Sequence, residues 1–198
     1  MKKFKCIFVH TPQLTLNQNG NVCSNINFSA MGLYSLANEL NKEGFPTEII
    51  HLGIEKYLDK KFLLSDYINQ NDIKFVAFSL HWHPQSYDVI ETARVIKERN
   101  PDIFLSIGGF TASYFAIEIM EKFPFVDAII KGEGELPIVE LAKEISSNKS
   151  LKTVPNLVWR EFNKIITNKN TFVASNKDLD SYKFFKTDFM KNFESYSK

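Results

Sequence analysis

The four histidines of the chain, His10, His51, His81 and His83, each end or closely follow a short apolar run that is typical of a buried strand. If these strands are parallel, their carboxyl ends share one edge of a sheet, where imidazoles could ligate a metal or contact a cofactor. They could equally be polar residues that simply end strands. His81 and His83 have no evident third ligand, so no metal site is predicted.

A glycine-rich turn offers a different chemistry. Gly108 and Gly109 follow an apolar run directly, and Thr111 and Ser113 come next. Glycines permit positive φ and close approach of a ligand, while hydroxyls at a helix start cap N–H groups that can also hold a phosphate. An ordinary strand-to-helix turn would use the same residues. The glycine motifs of dinucleotide and nucleoside-triphosphate sites are absent from the sequence.

Two carboxylates flanked by glycines occur in Gly132-Glu133-Gly134-Glu135. The pair could serve acid–base chemistry or bind a metal. Alternatively, Glu135 favours a helix N-terminus electrostatically and Glu133 is solvated. The glycines are the more informative half, because they indicate a backbone that lies against something flat or bulky.

The cysteines and tryptophans carry weaker signals. Cys6 is expected to be a small buried hydrophobe, and Cys23, in a polar loop, could be a reactive thiol. Two cysteines are too few for a disulfide framework, a four-thiolate zinc site or a three-cysteine iron–sulfur cluster. Trp159 is expected to pack, whereas Trp82 could be a platform for a planar ligand or partner domain, or could also simply pack.

Composition narrows the class of protein. The 198 residues hold 24 Lys+Arg and 23 Asp+Glu, a net charge of +1, and 44% of them are hydrophobic. Only three basic residues are arginine, so nucleic acid is not a predicted partner. The apolar part of MKKFKCIFVH is too short for a signal peptide, and no stretch approaches the roughly 18 residues that span a bilayer. A cytoplasmic protein without a membrane partner is therefore expected.

Strand-like runs alternate with segments of helical period over about 145 residues, which predicts repeated βαβ units and a doubly wound α/β fold. In such a sheet, ligands bind beyond the carboxyl ends of the strands. The predicted strands are 5–9, 47–50, 74–80, 103–107 and 128–131, and a helix is expected after each.

The pattern changes after residue 150. Residues 151–170 are predicted to form a small β-ribbon, with strands at 156–160 and 164–167. The polar tail, 171–198, has no clear periodicity and is interpreted as a linker toward a domain missing from this chain. The preceding domain is assigned to residues 1–150.

Four segments in this order resemble the N-terminal cobalamin (B12)-binding domain of B12-dependent radical SAM proteins. They lie after the third, fourth and fifth strands and in the ribbon, at residues 78–81, 106–113, 127–135 and 154–160. The resemblance covers about residues 4–168. It implies a flavodoxin-like five-stranded parallel sheet of order 2-1-3-4-5, with the corrin across its carboxyl edge and the nucleotide tail of cobalamin between loops.

The resemblance also implies which residues contact the cofactor. Ser79 and Leu80 would line the tail channel, Gly108 and Gly109 would admit the tail, and Thr111 and Ser113 would bond its phosphate or ribose. The full implied set is Thr11, Pro12, Ser79, Leu80, His81, Gly108, Gly109, Phe110, Thr111, Ser113, Gly132, Glu133, Gly134 and Glu135.

Two departures from related families limit the prediction. The first loop, His10-Thr11-Pro12, lacks the Asp-x-His-x-x-Gly motif whose histidine ligates cobalt in mutases, so cobalamin is expected base-off without a histidine lower ligand. His10 as an axial ligand is the alternative. The chain also lacks Cys-x-x-x-Cys-x-x-Cys, so S-adenosylmethionine and a 4Fe-4S cluster are expected only in a C-terminal radical SAM domain of the same polypeptide.

No catalytic residue is therefore assigned, and the full-length protein is expected to transfer methyl groups or rearrange a carbon skeleton. Two other functions stay open. One is a self-contained small-molecule transferase or hydrolase that uses His81 or Glu133. The other is a flavodoxin-like interaction module without a ligand.

Overall fold

The computed structural model describes residues 3–12, 14–16, 22–24, 31–162 and 164–197. The side chain of Cys23 lies outside the described part, so the hypothesis of a reactive thiol there stays a prediction. Across these ranges the strands are β1 Lys5–His10, β2 Leu14–Leu16, β3 Val22–Ser24, β4 Thr47–His51, β5 Ile73–Ser79, β6 Phe104–Gly108, β7 Ala128–Ile130, β8 Leu157–Glu161 and β9 Lys164–Thr167.

Five of these strands form the predicted parallel sheet. Their order is β4-β1-β5-β6-β7, which is the order 2-1-3-4-5 once the predicted strands are numbered along the chain. The doubly wound α/β fold is confirmed. From β1 the chain first adds β4 on one side and then adds β5, β6 and β7 on the other side. The carboxyl ends of β1 and β5 therefore flank the switch point at which ligands bind in open α/β sheets.

The sheet has seven strands rather than five. The predicted ribbon, β8 and β9, joins it through antiparallel pairing of Val158 with Ile129 on β7. The physical reason is burial, since Leu157, Val158 and Trp159 are all buried in this position. The strands β2 and β3 form a separate antiparallel pair in the first loop.

Helices cover both faces of the sheet, and alternation along the strands divides the core into two layers. One layer includes Ile7, Val76 and Leu105, and the other includes Cys6 and Phe75. The helices are α1 Gly32–Lys42, α2 Leu52–Leu58, α3 Leu64–Gln70, α4 Ser86–Arg99, α5 Phe110–Tyr114, α6 Ala116–Lys122, α7 Glu135–Ser147 and α8 Asn176–Ser181.

Two helical features differ from the prediction. The helix α2 was not expected, and it begins where the His51 side chain accepts the Ile54 N–H at 3.3 Å. The single helix expected after β6 is broken at Phe115, which separates α5 from α6. Within the described ranges, none of the helices has the length and apolarity required to cross a bilayer.

The tail lies against the domain. Phe189 and Met190 are buried in the layer beneath α1, and the Lys191 N–H donates to the Ile49 carbonyl at 3.0 Å. Lys191 also forms an ion pair with the buried carboxylate of Glu55. Residues 187–191 therefore line the outer edge of β4. The role of the tail as a linker stays a prediction.

Candidate functional site

A cavity of about 920 Å³ opens at the carboxyl ends of β5, β6 and β7, between α1 and α7. Its lining is mostly apolar, with polar groups at a few points, as is usual for small-molecule sites. The lining residues are Phe8, Met31, Gly32, Leu33, Leu36, Ala77, Phe78, Ser79, His81, Trp82, Ser106, Ile107, Gly108, Gly109, Phe110, Ile130, Gly132, Glu133, Gly134, Glu135 and Ile138.

The cavity exists because the floor is built from small side chains. In the register of the sheet, Ala77 pairs with Ser106 and Ser79 pairs with Gly108. Alternation along each strand places all four on the same face. A Cβ on Gly108 would meet only the Ile130 carbonyl oxygen, at 3.8 Å, so the space above this position is open.

Two hydroxyls lie on this floor. Ser79 and Ser106 are buried, and neither hydroxyl makes a hydrogen bond with another described residue. Both residues line the cavity, so each hydroxyl can offer a donor and an acceptor to a polar atom of a ligand. These serines are thus available to orient a molecule in the cavity.

The double-glycine turn closes one end of the floor. Gly109 has φ +107°, and a Cβ there would lie 2.6 Å from the Leu80 carbonyl oxygen. The Leu80 N–H donates to the Gly108 carbonyl at 2.8 Å. The Leu80 side chain is buried in the core layer on the opposite face of the sheet and does not line the cavity, so its contact with a cofactor tail stays a prediction.

The two predicted phosphate-binding hydroxyls hold loops together. The Thr111 hydroxyl donates to the His81 carbonyl at 3.1 Å, and the Ser113 hydroxyl donates to the Gly109 carbonyl at 2.8 Å. Ser113 also accepts the Gly132 N–H at 2.9 Å. Neither residue lines the cavity, because both hydroxyls are directed to the backbone of the surrounding turns.

An aromatic group lies at the rim of the cavity. The ring of His81 is 4.6 Å from that of Phe110 and 4.9 Å from that of Trp82, between centroids. Phe110 is 72% exposed and Trp82 is 44% exposed, so both offer flat apolar surface to solvent. Partial burial lowers the pKa of His81, which favours its neutral imidazole.

The acidic residues at the opposite wall make internal hydrogen bonds. Glu135 accepts the Ser35 hydroxyl at 3.1 Å and the Gly134 N–H at 3.2 Å. The Glu133 carboxylate accepts the Ala174 N–H. These bonds give both carboxylates a structural use, which does not favour the acid–base interpretation of the pair.

The end of β1 lies outside the cavity. Thr11 and Pro12 are not among its lining residues, so their predicted contact with a cofactor stays a prediction. The rings of His10 and His51 lie 4.8 Å apart. Burial lowers the pKa of His10 to about 3 and that of His51 to about 4, so both are neutral at pH 7.

Several site residues were missed by sequence reasoning. From α1 the cavity receives Gly32 and Leu36, and from β6 it receives Ser106. Gln85, also missed, donates to the Thr11 carbonyl at 2.8 Å and accepts the Trp82 N–H at 3.2 Å. The alternating small residues of β5 and β6 were the available signal. Throughout the described ranges, no group of three or more acidic, histidine or cysteine side chains could hold a metal ion.

Comparison with protein families decides the identity of the domain. A family model described as the B12 binding domain matches residues 21–142, which is more than half of the chain. The chain belongs to the B12-binding domain family. This assignment confirms the resemblance found in the sequence.

Curated relatives of this B12-binding domain include larger enzymes. A hopanoid C-3 methylase of Methylococcus capsulatus is 28% identical over 129 residues, which cover 65% of this chain and 24% of that protein. An anaerobic magnesium-protoporphyrin IX monomethyl ester cyclase of Rubrivivax gelatinosus is 30% identical over 66 residues, 33% of this chain and 12% of the cyclase. The B12-binding domain thus spans about a quarter or less of these two relatives.

Solved structures share the fold. TsrM, a radical S-adenosylmethionine methyltransferase of Kitasatospora setae solved with cobalamin and a 4Fe-4S cluster, matches with a TM-score of 0.68 and 19% identity, over 87% of this chain and 30% of TsrM. OxsB, a cobalamin-dependent S-adenosylmethionine radical enzyme, matches with a TM-score of 0.66 and 17% identity, over 86% of this chain and 23% of OxsB.

Proposed function

We propose that this chain is the cobalamin-holding module of a B12-dependent radical SAM enzyme of the methyltransferase type. The observation that carries the proposal is the cavity floored by Ala77, Ser79, Ser106 and Gly108, in a chain that belongs to the B12-binding domain family. In this proposal the cavity receives the nucleotide tail, and the corrin lies across the carboxyl edge of the sheet.

The residues of the cavity suit such a tail. At about 920 Å³ the space is large enough for a base, a sugar and a phosphate, since small-molecule sites are typically about 300–1,000 Å³. Gly108 leaves an opening that any side chain would narrow. Ser79 and Ser106 supply hydroxyls to the polar atoms of the tail, while the apolar walls contact the flat base.

The aromatic rim suits the corrin. Trp82 and Phe110 expose flat apolar surface beside the mouth of the cavity, and a macrocycle that covered them would remove this surface from water. The ring of His81 packs between them. We assign these three residues to the support of the macrocycle.

The proposal includes base-off binding without a histidine beneath the cobalt. His10 is 1% exposed, and its ring packs against that of His51. To reach a ligand, the imidazole would have to leave the core. This burial, together with the absence of the Asp-x-His-x-x-Gly motif from the first loop, supports a lower face that no protein nitrogen ligates.

The larger enzyme would contain the other reacting groups. The named relatives are a methylase and a cyclase of which this chain matches 24% and 12%, so S-adenosylmethionine and the 4Fe-4S cluster would belong to a further, C-terminal domain of the same polypeptide. When bound, cobalamin supplies a cobalt centre that can carry a methyl group. The residues of this chain bind and orient the cofactor and shield its tail from water.

Cobalamin retention tests the proposal. The purified chain is mixed with hydroxocobalamin, desalted, and examined by visible absorption. We expect near one equivalent of cobalamin to be retained, because the tail is enclosed by the cavity. A colourless protein with intact circular dichroism would contradict the proposal and would favour the ligand-free module or the self-contained enzyme.

A further inference from the structure

Asn156 lies at the turn that precedes β8, beside residues 132–134, which form one wall of the cavity. Its backbone has φ +58°, in the left-handed region that asparagine tolerates better than most residues. Its carbonyl accepts the Lys131 N–H at 2.8 Å, directly after the pairing of Ile130 with Leu157. The turn is therefore fixed to the start of the wall.

The Asn156 side chain connects this wall to the tail. Its amide nitrogen donates to the Glu133 carbonyl at 3.1 Å and to the Phe172 carbonyl at 2.9 Å. Its oxygen accepts the Phe172 N–H at 2.8 Å. The backbone N–H donates to Asn170 at 3.0 Å, so every hydrogen-bonding group of the residue is used.

A second connection joins the same two segments. The Glu133 carboxylate accepts the Ala174 N–H, one step beyond the Asn156 contacts. Farther along the tail, burial and the nearby carboxylates of Glu135, Asp178, Glu39 and Glu133 raise the pKa of Tyr182 to about 12. The tail is thus bonded to Asn156 and to Glu133 between residues 170 and 174.

Gly132, at the start of the wall, has little packing to fix its conformation, whereas a Cβ on Gly134 would lie 3.2 Å from Leu36 Cδ2. Gly132 has φ +68°, and a Cβ there would meet no atom within 4 Å, so packing does not restrain this position. Glycine at such sites gives the backbone wide conformational freedom. The hydrogen bonds from Ser113, Asn156 and the tail must supply the restraint.

We propose that Asn156 is a positioning residue for the cobalamin site, and that it couples the tail segment 170–174 to the wall of the cavity. The inference rests on the proposed function, because the wall matters for affinity only if the cavity holds the cofactor tail. Displacement of the tail would release the Glu133 carboxylate and the Asn156 side chain, and would thereby loosen the wall. Cobalamin affinity thereby depends on a segment that does not line the cavity.

Asn156→Gly tests the role, since glycine keeps the positive φ and removes only the side-chain hydrogen bonds. The chain offers a matched control in Asn168, whose side chain also makes three hydrogen bonds. Its oxygen accepts the Trp159 indole N–H at 3.0 Å, and its nitrogen donates to the carbonyls of Leu151 at 2.7 Å and Val154 at 2.8 Å. None of these bonds reaches residues 131–134.

The 198-residue chain is titrated with hydroxocobalamin, and amide hydrogen exchange and melting temperature are measured on the cobalamin-free protein. We expect Asn156→Gly to raise the cobalamin Kd about tenfold and to speed exchange in residues 131–135, because several loop hydrogen bonds are lost. Asn168→Ala should lower the melting temperature while it leaves the Kd within about twofold, since the wall keeps its bonds.

Equal Kd values for Asn156→Gly and wild type, or equal losses in Asn156→Gly and Asn168→Ala, would overturn the positioning role. If wild type itself retains no cobalamin, the proposed function fails. In that case, hydrogen exchange in residues 131–135 that is the same in Asn156→Gly as in wild type would reject the coupling as well. If Asn156→Gly does not fold, Phe172→Pro removes the N–H that Asn156 accepts from the tail side, and the same outcomes apply.

Discussion

The two halves of the carboxyl edge use side-chain volume in opposite ways. At β1 and β4 the strands end in His10 and His51, whose rings fill the space between them and are both buried. At β5 and β6 the strands end in Ser79 and Gly108, and a cavity of about 920 Å³ follows. In these four strands, the size of the last residue thus distinguishes the half of the edge that has the cavity from the half that is filled by side chains.

Filling the cavity at the ends of β5 and β6 should produce the largest change in cobalamin affinity. Gly108→Val places two methyl groups in the cavity, where a Cβ meets only the Ile130 carbonyl at 3.8 Å. We expect the cobalamin Kd to rise about a hundredfold, because overpacking costs about 1–3 kcal/mol. Retention after desalting and circular dichroism measure the two properties separately.

Lys74→Val is the control for this change. It adds the same β-branched residue at the amino end of β5 and removes only an exposed ion pair with Asp72. Wild-type retention by Gly108→Val would mean that the cavity is not the route of the tail. Gly109 is a poorer test, since any side chain there would meet the Leu80 backbone at 2.6 Å and disturb the turn.

Acid should lower the stability of the protein through His10 and His51, whose rings fill one half of the carboxyl edge. Burial holds the pKa of His10 at about 3 and that of His51 at about 4, below the ordinary 6.5, so the unfolded chain binds more protons between these values. Stability is therefore unaffected by these groups above pH 6.5 and decreases as the pH falls. For each histidine the free energy of unfolding should drop by roughly 1 kcal/mol per pH unit between pH 6 and 4.

Urea unfolding of the cobalamin-free chain at several pH values measures this slope. In His10→Ala this slope should be smaller by the contribution of one histidine, because one buried imidazole has been removed. The exposed His83 serves as the control, and His83→Ala should keep the wild-type slope. An unchanged slope in His10→Ala would show that this ring is not the source of the acid sensitivity.

The smallest effect is expected for His10→Ala on the spectra of the bound cobalamin. If no histidine ligates the lower face, His10→Ala should bind hydroxocobalamin with the absorption spectrum of wild type, although the protein is less stable. Electron paramagnetic resonance of the cob(II)alamin form provides a second measure, because a nitrogen ligand splits its lines. A change in either spectrum upon substitution would restore His10 as an axial ligand.

Much of the fold could be predicted from the sequence because the pattern is local. The apolar runs of β1, β5 and β6 are contiguous signals, and parallel order follows from alternation with helices. The attachment of β8 to β7 was not predictable in the same way. It depends on which edge of the sheet offers a partner for Val158, and that is decided by tertiary packing.

The candidate site also contains some residues that local sequence predicts and some whose contacts depend on tertiary packing. Gly108 and Gly109 stand out in the sequence because paired glycines after a strand are unusual, and the structure places both at the cavity. The role of Thr111 and Ser113 at a phosphate stays a prediction, and in the structure their hydroxyls donate to the backbone carbonyls of His81 and Gly109. Hydroxyls satisfy whichever acceptor the loop geometry brings near, and sequence spacing does not specify that geometry.

The way in which the outer strands of the sheet are covered also affects the tendency of the protein to aggregate. The outer edge of β7 is paired with β8, and that of β4 is bridged at Ile49 by Met190 of the tail. Unpaired strand edges are templates for aggregation, and short, polar edges are protected from it. The outermost strand on the ribbon side is β9, which is four residues long with Lys164 and Thr167 exposed. Pairing of this edge with a strand of a neighbouring molecule is therefore disfavoured.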